Sequence, residues 1–221
     1  GESDASGLEL DALGSRFIWR GQRVHLPLPG RFNVRNALVA AELAHAAGVA
    51  PAVVAAGLGA APPAPGRFEP VVAGQPFTVV VDYAHTPDGL EQVIAALREV
   101  EGGRLTVVFG CGGDRDRAKR PLMGEAAAGA DRVILTNDNP RSEDPDAIIA
   151  AVRAGIPPET DLVIDPDRRS AIRVALAGAA TGDVVLLAGK GHETTQVTGD
   201  RVVPFDDRQV ARELLSGRSP T

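Results

Sequence analysis

The sequence predicts an α/β protein: a doubly wound, mostly parallel sheet that ends in a hairpin, preceded by a smaller segment of strands and helices. Three observations carry this. Short aliphatic runs at 77–81, 105–109, 132–135, 162–164 and 184–188 alternate with helical patterns at 87–100, 120–130, 145–154 and 168–179. Uninterrupted Val/Ile/Leu runs bounded by turn residues are how strands covered on both faces read, and strand–helix alternation makes those strands parallel. Finally, the stretch Ala60-Ala-Pro-Pro-Ala-Pro-Gly66 breaks helix and strand alike, which places a domain boundary between residues 1–65 and 66–221.

The elements follow in order. Residues 8–12, 16–20 and 23–28 read as paired strands with Gly21-Gln22 as a hairpin turn. With few large apolar residues, they must pack on another element or belong to a domain that begins before this sequence. Residues 33–48 read as a helix, with Asn33 as N-cap and Gly48 in the left-handed position at its end, and a second helix starts at Pro51. Thr86-Pro87 and Asp144-Pro145 each pair an N-cap with a proline suited to the first helical turn. Near the end, 194–197 and 201–205 flank Gly199-Asp200 as a hairpin, and 207–215 forms a last helix.

Composition excludes several classes. With 44% hydrophobic and 24% charged residues the 221-residue chain reads as globular, and its net charge of -6 disfavours nucleic acid as a partner. The one cysteine, Cys111, forms neither an internal disulfide nor a multi-cysteine metal site, and a packing role is the expectation for it. The first residues lack the features of a secretion signal and no apolar run is long enough to span a membrane, so the expected location is cytoplasmic.

Ligands of open α/β sheets bind outside the carboxyl ends of the strands. Four of the predicted strands run there into Asp82-Tyr-Ala-His-Thr-Pro-Asp88, Gly110-Cys-Gly-Gly-Asp-Arg115, Asn137-Asp-Asn-Pro-Arg141 and Gly189-Lys-Gly-His-Glu193. Each alone passes for a cap or turn; all four on one edge point to a site. The second loop fails as a dinucleotide fingerprint, because its third glycine position is Arg115. It still offers a guanidinium fork for a carboxylate or phosphate. In Asp138-Asn-Pro-Arg141 the acid can pair with an ammonium, Asn139 can donate or accept, Pro140 stiffens the loop and Arg141 can grip a carboxylate. That set suits a zwitterion, against the alternative of a salt-bridged loop. Gly189-Lys-Gly resembles part of a phosphate loop, yet Lys190 precedes a glycine and not a magnesium-binding hydroxyl. His85 and His192 have no zinc-type spacing, so no metal site is expected in this chain.

Taken together, these loops with Leu28-Pro-Gly-Arg-Phe-Asn-Val-Arg-Asn36, Pro65-Gly-Arg-Phe-Glu69 and Lys119-Arg-Pro-Leu-Met-Gly124 resemble the Mur ligase family, and within it the members that add diaminopimelate. The resemblance covers nearly the whole chain. It implies a Rossmann-like C-terminal domain from residue 66 and, over 1–65, the last part of a central ATPase domain. It implies a substrate site for meso-diaminopimelate made by Arg115, Asp138, Asn139, Pro140, Arg141, Gly189 and Glu193. Asn33 and Asn36 match family residues near the adenine of ATP, Arg67 one that reaches its phosphates, and Asp82 one near the ribose, with Tyr83 and His85 alongside. Phe68 and Asn137 depart from the methionine and aspartate more usual there.

The reaction so implied is ATP-dependent amide formation through an acyl phosphate on UDP-MurNAc-L-Ala-D-Glu, with Mg2+ as a cofactor, in peptidoglycan precursor synthesis. This sequence lacks the phosphate loop, the magnesium ligands, the carbamylated lysine and the UDP-binding domain that the resemblance also implies. The expectation is a ligase fragment, inactive alone, with no catalytic residue assigned and the UDP-substrate bound mainly elsewhere. The competing reading is a non-catalytic module that binds an amino acid or nucleotide. A folylpolyglutamate or cyanophycin synthetase fits less well, given Asp138-Asn-Pro-Arg141.

Overall fold

A computed structural model describes residues 5–11, 14–62, 64–100 and 102–217. The chain divides into two compact units, Gly1–Ala64 with Ala96–Glu101, and Pro65–Ala95 with Gly102–Thr221.

In the first unit, β1 (Ala5–Asp11), β2 (Gly14–Trp19) and β3 (Gln22–Leu26) form an antiparallel sheet in that order. Alternation along β2 and β3 turns Phe17, Trp19, Val24 and Leu26 to one face. There they pack with Val34, Leu38 and Ala41 of α1 (Arg31–Ala46) and with Val54 and Ala55 of α2 (Pro51–Gly59). The partner that so thin a sheet requires is therefore this helix pair.

Two local expectations are corrected. Trp19 pairs with Gln22, so the β2–β3 turn is Arg20-Gly21 and not Gly21-Gln22. Both turn residues have positive φ, 45° and 75°, as the mirror-image turn that matches strand twist demands. The N-cap of α1 is Gly30 and not Asn33. The Gly30 carbonyl accepts the Asn33 and Val34 N–H groups, while the Asn33 side chain donates back to the Pro29 carbonyl at 2.7 Å. Gly48, at φ 92°, ends the helix as expected.

Glu42 of α1 ties helix to sheet. It accepts from both Arg20 and the Trp19 indole, at 2.9 and 2.8 Å, and these two donors hold its carboxyl down to about 2. A folded pKa below the unfolded value gives stability that is present above about 4.5 and lost as the pH falls through about 2. Glu42→Gln is therefore expected to be less stable than the parent at pH 7, with the difference closing between pH 4.5 and 2 when urea midpoints are compared.

The second unit is a six-stranded sheet in the order β4-β5-β9-β6-β7-β8. Its strands are β4 (Glu69–Pro70), β5 (Thr78–Asp82), β6 (Leu105–Phe109), β7 (Arg132–Leu135), β8 (Leu162–Ile164) and β9 (Val184–Ala188). All pair in parallel except β4, which lies antiparallel on β5. β4 escaped the sequence reading because it is two residues long and contains a proline.

The last strand of this sheet, β9, inserts between β5 and β6, so the helices must cover both faces. One face sets Val79, Val81, Val108, Ile134, Val185 and Leu187 against α6 (Arg168–Ala177) and α7 (Asp207–Leu215). The intervening Val80, Val107, Val133 and Leu186 are equally buried on the other face, where right-handed crossovers carry α3 (Pro87–Val100), α4 (Lys119–Ala127) and α5 (Pro145–Arg153). Burial of each such side chain contributes roughly 1.5–3 kcal/mol, which makes this sheet a rigid base for its loops. Asp144 and Thr86 accept N–H groups at the starts of α5 and α3. The terminal hairpin is β10 (Thr195–Thr198) and β11 (Arg201–Pro204), joined at Gly199-Asp200.

Candidate functional site

Because β5, β6, β7 and β9 are parallel, the loops that leave them emerge on one edge. β9 lies where the chain reverses its order across the sheet, the place at which such sheets open a crevice. A cavity of about 250 Å3 sits there. Tyr83 and His85 line it from the loop after β5, Gly112, Arg115 and Asp116 from that after β6 with Lys119 at the start of α4, Asp138, Asn139 and Arg141 from that after β7, and Gly189 and Glu193 from that after β9.

The β7 and β9 loops are bonded to each other. The Asn139 amide donates to Glu193 Oε2 at 2.7 Å and its Oδ1 accepts the Val197 N–H at 3.0 Å. Gln196 donates to the Asp138 carbonyl at 2.7 Å. Arg141 is held by backbone and side chain together: its N–H donates to Val197, its carbonyl accepts from Gly199, and its guanidinium donates to the Gly113 carbonyl at 2.7 Å. Pro140 is buried within this loop.

The glycines of the β6 loop have a steric cause. A Cβ on Gly113 would stand 1.8 Å from the Pro140 carbonyl oxygen. Gly113→Ala is expected to force the β6 and β7 loops apart and lower stability by about 1–3 kcal/mol, measured by urea denaturation.

The charges fall into braces and open groups. Asp114 accepts from the Ser142 hydroxyl and N–H, which pull its pKa down. Glu143 accepts from Arg120 and from the Asp114 N–H, with the same result. Asp138 differs: burial pushes its carboxyl up, against the pull of Arg168 and Lys190, so a cation placed beside it would be strongly favoured. Cys111 is buried and its thiol is pushed up to about 11 by that burial, which leaves it a packing group.

Beside the cavity, the Arg67 guanidinium lies 5.0 Å from the centre of the Tyr83 ring, with the rings of His85 and His192 at 4.5 and 4.9 Å. His85 Nδ1 is 2.8 Å from the Tyr83 carbonyl, which can only accept, so that nitrogen carries a proton. Asp82 is buried and each of its oxygens takes a backbone N–H, from Phe68 and Ala84, both at 2.7 Å. Each oxygen keeps a second lone pair. Asn33 and Asn36 lie on α1 in the first unit.

Sequence reasoning missed Lys190, Lys119, Gln196 and Arg168. Lys190 was visible in its glycine setting but was weighed only as a phosphate-loop lysine. Arg168 left a subtler signal, since a cation in the first turn of a helix opposes the helix dipole and needs a reason to be there. That reason is Asp207, which accepts from Arg168 at 2.6 and 2.8 Å with both side chains fully buried.

This sheet has the Rossmann-like α/β fold of a ligase domain. Residues 66–191 match the family described as "Mur ligase, glutamate ligase domain", and the chain belongs to the Mur ligase family. It is 55% identical over 204 residues to the UDP-N-acetylmuramoyl-L-alanyl-D-glutamate--2,6-diaminopimelate ligase of Solibacter usitatus (strain Ellin6076), covering 90% of this chain and 41% of that protein. With the enzyme of the same name from Syntrophomonas wolfei subsp. wolfei (strain DSM 2245B / Goettingen) it shares 49% identity, covering 97% of this chain and 45% of that protein. A solved structure of a ligase of that name superposes with a TM-score of 0.72 at 39% identity, over 96% of this chain and 45% of the other. The chain thus spans less than half the length of these relatives.

Proposed function

We propose that this chain provides the amino-acid-binding part of a cytoplasmic, ATP-dependent ligase that joins meso-diaminopimelate to UDP-MurNAc-L-Ala-D-Glu during peptidoglycan precursor synthesis. One observation carries the reading: a single cavity presents carboxylates, Asp138 and Glu193 with Asp116, together with cations, the guanidinium groups of Arg115 and Arg141 with Lys119. An amino acid with a second carboxylate needs both kinds of partner. In this reading Asp138 and Glu193 hold an ammonium, Arg115 and Arg141 hold carboxylates, Asn139, Pro140 and Gly189 shape the wall, and the free amine is thereby aimed at one direction of approach. No helix among the described residues is long and apolar enough to cross a membrane.

The nucleotide part of the proposal rests on Asn33 and Asn36 for the adenine, Arg67 for the phosphates, and Asp82, Tyr83 and His85 beside the ribose. Arg67 over the Tyr83 ring offers the cationic fork such phosphates need, and the spare lone pairs of Asp82 suit ribose hydroxyls. ATP, when bound, supplies the phosphoryl group that activates the glutamyl carboxylate. Mg2+ is proposed to accompany ATP in the complete ligase. Residues 1–65 are proposed as the end of the ATPase domain and 66–221 as the amino-acid domain. The test is incorporation by a full-length ligase that contains this chain: meso-diaminopimelate is expected to be joined to UDP-MurNAc-L-Ala-D-Glu with ATP, and preference for L-lysine would overturn the reading.

A further inference from the structure

Lys190 is fully buried, yet the amino-acid reading leaves it without a role. Burying an ammonium is costly unless it is well bonded. The flanking glycines explain how it comes to be inside: Gly189 at φ 107° and Gly191 at φ 52° take conformations that other residues rarely adopt, and they turn the Lys190 side chain away from solvent. Its Nζ donates to the Thr195 carbonyl at 2.6 Å and lies 3.4 Å from both Asn139 Oδ1 and Glu193 Oε2. Asn139 itself bonds that same Glu193 oxygen. One buried cation therefore meets the β7 loop, the β9 loop and the first strand of the terminal hairpin.

We propose that Lys190 is the positioning residue of the amino-acid site, the group that fixes Asn139 and Glu193 in register across the two loops. It rests on the diaminopimelate reading only for the ligand used in the test. Both bonds that Glu193 makes to Asn139 and Lys190 fall on Oε2, so neither uses Oε1 of this cavity-lining residue. The cation also pulls on the Asp138 carboxyl against the push that Glu193 exerts, and so offsets the repulsion between these two carboxylates. A phosphate-binding role does not suit it, since the surrounding acceptors already occupy the ammonium.

Two measurements on the 221-residue chain and its Lys190→Met variant decide the matter. The first needs no ligand: hydrogen exchange of the Val197 amide, which bonds Asn139 Oδ1, is expected to speed up at least about fivefold in the variant while the β9 amides keep their protection. The second is calorimetric titration with meso-diaminopimelate, whose affinity is expected to fall roughly tenfold or more. Unchanged Val197 exchange, or equal affinity of parent and variant, would overturn the role. If the parent binds no diaminopimelate, the ligand reading fails by itself and Val197 exchange still decides the role of Lys190. If Lys190→Met does not fold, Lys190→Gln keeps a donor for Thr195 without the three-way reach, and the same two results apply to it.

Discussion

Replacing Arg141 with alanine is expected to reduce binding of meso-diaminopimelate about 100-fold or more while leaving nucleotide binding unchanged. Loss of one partner of a buried, hydrogen-bonded charge pair costs about 2–5 kcal/mol. Arg141 would make such a pair with a bound carboxylate: one nitrogen of its guanidinium donates to the Gly113 carbonyl, and the residue lines the cavity together with Arg115. The backbone bonds of residue 141 to Val197 and Gly199 do not involve the side chain, so the hairpin should survive the change. Arg141→Lys retains charge without the planar fork and should fall between the two. Calorimetry with meso-diaminopimelate and with a nucleotide, on the full-length ligase, reads both effects. Parallel loss of both affinities would mean that Arg141 serves the loop and not the substrate.

The second large effect concerns stability. Arg168 and Asp207 form a fully buried ion pair, and Arg168 also donates to the Ala188 carbonyl at 2.9 Å and lies 3.4 Å from that of Asn137. Those carbonyls lie at the end of β9 and early in the β7 loop, directly before Gly189 and Asp138. Burial acts against the charged guanidinium, but Asp207, helped by Asp138 and Glu193, outweighs it and raises the pKa. Arg168→Ala strands a buried carboxylate and is expected to cost about 3–5 kcal/mol in urea denaturation. The double change Arg168→Met with Asp207→Leu should recover most of that loss, because two apolar groups leave no stranded charge. Its site should still bind less well, since the pull of Arg168 on the Asp138 carboxyl, which is lost, is larger than the opposing push of Asp207, which is lost with it.

The parallel sheet was legible because strands buried on both faces leave unbroken aliphatic runs, as at Val79–Val81 and Val184–Ala188, between well-capped helices. What failed were the β2–β3 turn and the N-cap of α1. Arg20 at φ 45° is a conformation that composition does not announce, and Gly30 caps α1 without a side chain that could have signalled it. The position of β9 between β5 and β6 was equally hidden, since pairing order depends on crossovers and not on local pattern. At the site, exposed-looking polar loops drew attention to Arg115, Asp138, Arg141 and Glu193, all of which line one cavity. Arg168 went unnoticed, and Lys190 was visible only as a phosphate-loop lysine, because a cation reads as solvent-facing until its buried acceptors are seen, and acceptors such as Asp207 and Asn139 are distant in sequence.

Calorimetric titration of the 221-residue chain with meso-diaminopimelate, against L-lysine, which lacks the second carboxylate, bears most directly on the claim that four loops of the second unit make the amino-acid site. Binding of diaminopimelate at least about tenfold tighter than lysine is the predicted result, the value of one charge-assisted contact. Equal affinities, or no heat with either, would contradict it.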